Sequence, residues 1–394
     1  MFQNISNVSI PRELLKEDAG ISLDMGGSLL KCAYYSSETS EKEVIIKILT
    51  LSPKGVLENM KKLRSEILDN IHFPWDTYTM AATGITIYKY KDDIIKILGI
   101  RDLTIHSEFD ACVKYVNAIR DNLPKERYIE AKSSEAIGRA HKAMQDYQEF
   151  FTSIDFKTKA ETQENNNDKD DANSEINQTI EDVSDTIPDE INNVEQHSDE
   201  AKQKAEYPYM LVNIGSGVGI LKANADGSNS MINGLNRGGR SFISLVSLTT
   251  GAKNFDDISE MLSRGDASAV DTLGKDIENR EENMYSAIPD DAVIYTLGNA
   301  LWKSPDDFKR EDIAVAILRM TCEEITQLIS SETRLNDVKA VYLSGGFLVP
   351  QKTREILTEG LTGLTLMNNS VDFEFIKHGS HLGALGCLIS SKGS

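Results

Sequence analysis

The sequence predicts an α/β chain built from two duplicated lobes, each β-β-β-α-β-α, facing one another across a cleft. Three observations carry this prediction. Near the start, Ile21-Ser22-Leu23-Asp24-Met25-Gly26-Gly27-Ser28-Leu29-Leu30-Lys31 is an apolar strand, a glycine turn and the entry to a second strand. The same device recurs at Tyr209–Leu221, where an apolar strand breaks at Gly215-Ser216-Gly217 and resumes. Between the two copies runs an acidic stretch that has almost no large apolar residue.

Length and charge bound the rest. At 394 residues there is ample chain for a large core and for two or three domains. The net charge of −20 argues against nonspecific binding to nucleic acid or to anionic membranes. No apolar run is long enough for a membrane span, and Met1 to Gly20 lacks the apolar core of a signal peptide. Cys32, Cys112, Cys322 and Cys387 are far apart and form no CxxC pair, so they read as buried thiols of a reducing compartment. The expectation is a soluble, cytoplasmic protein. Its expected organisation is an N-terminal tail (1–18), an N-terminal lobe (19–150), an acidic disordered insertion (151–206) and a C-terminal lobe with dimerisation helices (207–394). The segment Asp155–Glu206 holds 16 Asp and Glu against 5 Lys, more than half of the net charge. Such a stretch cannot bury enough surface to offset the entropy lost on ordering it.

In the first turn, glycine at 26 and 27 lets the backbone approach a phosphate closely. Asp24, at the strand end, is placed to hold a Mg²⁺–phosphate unit through water. Ser28 offers a hydroxyl and an N–H, and Lys31 a positive charge. A plain β-hairpin shaped by the same residues is the competing reading. Glu43–Leu51 is β-branched and completes an antiparallel three-strand start. Val56, Met60, Leu63, Ile67 and Leu68 are spaced as one helical face. Tyr78–Ala82 reads as a strand ending at Thr83-Gly84, followed by a polar-aromatic stretch, Ile87–Lys91. Ser107 is then the expected N-cap of a helix, with Asp110 as an imperfect capping-box partner. Glu108 falls in that helix's first turn, where an acid also serves simply to offset the helix dipole.

In the second half, the Gly234–Phe242 cluster precedes a helix from Ile243 to Leu248, and glycines at a helix start favour anions. Phe255–Leu262 is amphipathic and short. Asp307–Ser331 is a long helix expected to carry core or dimer packing. Val338–Leu343 is a strand running into Ser344-Gly345-Gly346, and Phe373–Ile376 is another. Gly379–Leu388 reads as a closing helix with small residues on one face, for close packing.

These turns, Asp-X-Gly-Gly-Ser, Asn-Ile-Gly-Ser-Gly and Ser-Gly-Gly-Phe, follow the order seen in the actin-like ATPase (ribonuclease H-like) and sugar-kinase superfamily. Within it the chain resembles the eukaryotic-type (type II) pantothenate kinases, over nearly everything except the tail and the insertion. Ile21–Lys31, Ala82-Thr83-Gly84, Glu108-Phe109-Asp110, Val212–Leu221 and the series Gly238-Gly239 to Arg264-Gly265-Asp266 carry the likeness. The resemblance implies transfer of the ATP γ-phosphate to pantothenate, with Glu108 as base and Asp24 positioning Mg²⁺. It implies that Gly26, Gly27, Ser28, Lys31, Gly215, Ser216 and Gly217 cradle the phosphates and that Gly345 and Gly346 lie at the nucleoside. It also implies that Ser216 touches pantothenate, that acyl-CoA restrains the enzyme, and that the chain pairs as a homodimer or with a paralogous kinase chain. Three positions depart from the family pattern. Met231 stands where the family has a substrate-binding Arg, Arg240 replaces the third glycine of its block, and Ile85 replaces the second glycine after Thr83. Arg237 or Arg240 is the candidate for the displaced charge at the substrate. A weakened, regulatory family member and a sugar or N-acetylhexosamine kinase are the rival readings.

Overall fold

A computed structural model describes residues 3–17, 20–27, 29–39, 42–52, 54–122, 127–128, 207–280, 288–367 and 371–389. The insertion expected at 151–206 and Ser28 lie outside these residues.

The first lobe contains strands β1 (Gln3–Pro11), β2 (Ile21–Met25), β3 (Leu30–Thr39), β4 (Glu43–Leu51), β5 (Thr79–Thr83) and β6 (Asp102–Ile105). Helices α1 (Val56–Glu66), α2 (Ile87–Leu98) and α3 (Glu108–Asn122) follow β4, β5 and β6 respectively. The two-residue strand β7 (Arg127–Tyr128) comes next. The second lobe contains β8 (Tyr209–Ile214), β9 (Val218–Ala223), β10 (Asn229–Leu235), α4 (Gly239–Thr250) and α5 (Phe255–Arg264). A small ribbon of β11 (Thr272–Leu273) and β12 (Val293–Tyr295) precedes α6 (Arg310–Leu335), β13 (Ala340–Ser344), α7 (Gln351–Met367), β14 (Asp372–Ile376) and α8 (Leu382–Leu388).

The duplication is explicit in the strand order. The N-terminal sheet runs β1-β4-β3-β2-β5-β6 and the C-terminal sheet β10-β9-β8-β13-β14-β7. Five strands of each match: an antiparallel meander, then a fourth and fifth strand added parallel to the first. This is the ribonuclease H-like arrangement of the actin-like ATPase fold.

The sheets are buried on both faces, so their strands alternate between two cores rather than between core and water. In β8, Tyr209 and Leu211 face a core shared by both lobes, while Met210, Val212 and Ile214 face one made with α4, α5, α6 and α7. In β4, Ile46 and Ile48 enter the shared core, and Leu49 and Leu51 pack toward α1 and α2. The shared core is filled by α3 and α8, which cross closely. A Cβ on Gly386 would sit 1.7 Å from the carbonyl oxygen of Ala111, so the small face expected for the closing helix is a steric requirement of this crossing.

The structure corrects three expectations. The segment read as a tail is not one: β1 pairs along β4, Val8 and Ile10 are fully buried, and Leu15 bridges Ile389. The division of lobes by residue number also fails at both ends. β7 joins the C-terminal sheet beside β14, and α8 packs back onto β2, β5 and α3. The stretch from Ile87 is a helix, because Ile87, Ile94 and Leu98 are all buried on one face and Gly99 ends it in the left-handed conformation. The long α6 carries core packing as expected, burying Ile313, Val315, Ile317, Leu318, Ile325 and Ile329 in its own lobe's core.

Candidate active site

The candidate site is built around the end of β2. Asp24 lies opposite Thr83 on the parallel β5 and opposite Lys31 on the antiparallel β3. Lys31 Nζ donates to Asp24 Oδ2 at 3.0 Å, and the aspartate side chain is 3% exposed. Burial works against the Lys31 charge, but Asp24, by charge and hydrogen bond, and then Glu108 hold its pKa above the ordinary value. Asp24 Oδ1 is buried with no hydrogen-bond partner among the described residues. An orphaned carboxylate oxygen at a strand end, beside a glycine turn, is of the kind a hard cation takes.

Glu108 opens α3. Ser107 Oγ accepts from the N–H of Asp110 at 3.3 Å and so caps the helix, as the sequence predicts. The Glu108 side chain is half-buried. Burial first, and then the Asp24 charge, push its carboxyl pKa up, against a smaller opposing pull from Lys31. The three groups therefore share one electrostatic environment.

Each lobe builds its glycine turns in the same way. The fourth strand of the first lobe ends at Gly84, with φ +93°, and a Cβ there would lie 2.5 Å from the Met25 backbone. The fourth strand of the second lobe ends at Gly345, with φ +112°, and a Cβ there would lie 2.2 Å from the Ile214 oxygen. Met25 and Ile214 are the last residues of β2 and β8. The fourth strand's turn thus lies flat on the end of the first strand in both lobes, an approach only glycine allows. Ile85, next to Gly84, is 80% exposed, so the loss of a second glycine leaves this turn sterically intact.

In the second lobe the Gly215-Ser216-Gly217 turn is backed by the start of α4. Gly239 N donates to Gly215 O at 2.8 Å and Arg240 N to Ser216 O at 3.3 Å. A Cβ on Gly238 would meet Gly217 at 2.8 Å. Gly346 has open space beside it.

The two arginines part company. Arg237 is ion-paired with Glu324 on α6, at an exposed position, and is held there rather than at Glu108. Arg240 reaches the first glycine turn: its Nη2 donates to the carbonyl of Gly27 at 3.0 Å. Met231 is 52% exposed on β10, and Asn229, two residues before it, donates to Asp110 of α3 at 2.9 Å.

Sequence reading missed the part of the site supplied by the chain's end. His381, just before α8, is buried between Thr50 Oγ1, 3.2 Å from Nε2, and Ser380 Oγ, 2.9 Å from Nδ1. Burial and the Lys31 charge lower its pKa to about 4, so it stands neutral beside the lysine. Ser22 Oγ donates to Ala384 O at 2.6 Å, and Gly383 brings α8 within 3.1 Å, measured from its absent Cβ, of the Asp24 carboxylate. The only signal available in the sequence was the small residue at 383.

Among the described residues, no helix is long and apolar enough to cross a membrane. Comparison with solved structures finds a ROK family glucokinase from Streptomyces griseus in complex with glucose and AMPPNP, at 10% identity and a TM-score of 0.42, covering 94% of this chain and 98% of that one. It also finds glucokinase from Balamuthia mandrillaris in complex with glucose, at 8% identity and a TM-score of 0.44, covering 94% and 92%. The fold assignment stands on strand order instead. Among curated proteins, Pantothenate kinase 1 of Arabidopsis thaliana is 31% identical over 186 residues, 47% of this chain and 48% of that protein. Pantothenate kinase 2 of the same plant is 31% identical over 186 residues, 47% of this chain and 20% of that protein. The 4'-phosphopantetheine phosphatase of Mus musculus is 25% identical and covers 93% of this chain but 40% of that protein. The chain therefore spans less than half the length of these relatives. The Fumble family model matches from residue 20 to residue 390. That span takes in both glycine-turn lobes and the returning C-terminal helix, and the chain belongs to the Fumble family, the type II pantothenate kinases.

Proposed function

We propose that the chain is an ATP- and Mg²⁺-dependent kinase that phosphorylates the primary hydroxyl of pantothenate to give 4'-phosphopantothenate, the first step of coenzyme A synthesis. The observation that carries this reading is Glu108: a carboxylate with a raised pKa, at the first turn of α3, coupled to the Asp24–Lys31 pair. Raising a carboxylate's pKa brings it nearer to that of the hydroxyl and so makes it a better proton acceptor. In the reaction the acceptor O–H gives its proton to Glu108, the freed oxygen bonds to the γ-phosphorus, and the bond from that phosphorus to the β,γ-bridging oxygen breaks as ADP leaves. Asp24 would hold Mg²⁺, which supplies neutralisation of the phosphate charge. Gly26, Gly27, Ser28 and Lys31 on one side, and Gly215, Ser216 and Gly217 on the other, would position the phosphates. Gly345 and Gly346 would lie toward the nucleoside, and Ser216 would also touch pantothenate. Positioning and charge neutralisation account for most phosphoryl-transfer catalysis. Family resemblance extends the reading to a cytoplasmic dimer, of two copies or of this chain with a paralogue, restrained by acyl-CoA. The test is purified protein with ATP, Mg²⁺ and pantothenate. Product formation no greater than that of a Glu108→Gln control rejects the kinase.

Met231 supports a second reading, a weakened chain serving as the regulatory subunit of a heteromeric kinase. An exposed thioether stands on the strand that α3 touches, where the resemblance leads one to expect a cation. Co-purification with a more complete kinase chain, together with inactivity alone, is the result that selects it.

A further inference from the structure

We propose that Arg240 is a phosphate-binding residue of this chain, sent across the cleft from the C-terminal lobe to the terminal phosphates of the nucleotide. The proposal rests on the nucleotide-binding reading above. It assigns Arg240 to the phosphates rather than to the acceptor.

Three observations carry it. The first is where the residue is anchored. Its own N–H lies on the second glycine turn, donating to Ser216 O at 3.3 Å, while its guanidinium donates to Gly27 O of the first turn at 3.0 Å. One residue thus touches both glycine turns. The second is steric. Gly238 and Gly239 cannot carry a side chain, because a Cβ at either would lie 2.8 Å from backbone atoms of the Gly215–Gly217 turn. Residue 240 is the first position of α4 free of that packing, and its side chain runs to the opposite lobe.

The third is charge. The carboxylates of Asp24 and Glu108 feel one another's charge, and the ammonium of Lys31 is engaged by Asp24. A polyphosphate entering such a site needs a further cation. A guanidinium carries five donors in a fixed fork, so it can keep the Gly27 carbonyl on one nitrogen and take phosphate oxygens on another. Its hydrogen bond to an anionic phosphate oxygen adds a charge–charge attraction that the neutral Gly27 carbonyl does not offer. The contact seen with Gly27 is then the resting position of a group that docks onto the nucleotide.

The experiment compares Mg²⁺–ATP with adenosine, which shares the base and ribose but has no phosphate, by calorimetry on the full chain. Arg240→Gln keeps a donor for Gly27 and removes the charge. It is expected to weaken ATP binding about tenfold or more, in line with loss of a charged hydrogen bond, and to leave adenosine within about twofold. Arg240→Lys keeps the charge but not the fork. It is expected to fold as the wild type does and to lose ATP affinity severalfold. Wild-type ATP affinity in either variant overturns the proposal. So does an equal loss for ATP and adenosine in Arg240→Gln, which marks a purely structural contact. A wild-type chain that binds neither ligand removes the nucleotide reading itself, and Arg240's role with it.

Discussion

Replacing Glu108 by Gln is expected to lower turnover while leaving the fold intact and firmer at neutral pH. The amide is nearly isosteric but cannot accept the hydroxyl proton. General-base catalysis contributes on the order of 10²–10⁴ in rate, so about 3–5 kcal/mol of transition-state stabilisation should disappear. Stability should move the other way. Burial and Asp24 raise the Glu108 pKa in the folded chain above its unfolded value. The folded state therefore holds that proton more tightly, and the ionised carboxylate reduces folding stability as pH rises through the folded pKa. Gln carries no such charge, so the variant should unfold at the same or higher urea concentration at pH 7.5. Its advantage should vanish at acid pH, where Glu108 is protonated in both states. The assays are phosphopantothenate formation across pH 5–9 and urea unfolding at several pH values. The wild-type rate should fall on the acid side as Glu108 protonates. Two results would refute the reasoning: a variant within about threefold of wild-type turnover, or one destabilised at pH 7.5 by the same amount as at acid pH.

Other perturbations test the frame around the base. Gly84→Ala and Gly345→Ala should each cost about 2–4 kcal/mol in urea unfolding, since each forces a side chain into a positive-φ turn and against the end of β2 or β8; a change below about 0.5 kcal/mol would show that the turns do not lie as described. Asp24→Asn leaves the largely buried Lys31 without its carboxylate and should destabilise by about 2–4 kcal/mol while lowering the lysine's pKa, which titration of its labelled side chain by NMR would report. His378 and His381 have folded pKa values lowered to about 4, mainly by burial. Both are neutral in the folded chain, and the stability this allows is present above the unfolded value of about 6.5 and lost as pH falls toward 4. Replacing both by Gln should flatten the stability profile between those pH values, and an unchanged slope would place the acid sensitivity elsewhere.

The residues that could be read from sequence are those whose signal is local. An apolar strand broken by two glycines is legible because alternation and glycine's backbone freedom act within a few residues. That identified the β2–β3 and β8–β9 units, Asp24, Lys31 and the Gly215-Ser216-Gly217 turn. The Ser107 cap and the first-turn position of Glu108 were legible for the same reason. The helix from Ile87 was missed because Tyr88, Lys89 and Tyr90 dilute its apolar face, and only burial of Ile94 and Leu98 shows which side packs.

Sequence alone thus determined the duplicated pattern and the residue types at the two facing turns, because strand alternation, turn chemistry and capping are short-range. Tertiary structure decided which of those residues meet. Arg240 reaches Gly27 across a sequence separation of 213 residues, and Ser22 bonds Ala384 across 362. β1 joins the N-terminal sheet, and α8 returns from the second lobe to sit beneath Asp24. The environment that raises the Glu108 pKa is made by groups on other elements. Burial and field depend on packing between distant segments, and no periodicity within either segment encodes them.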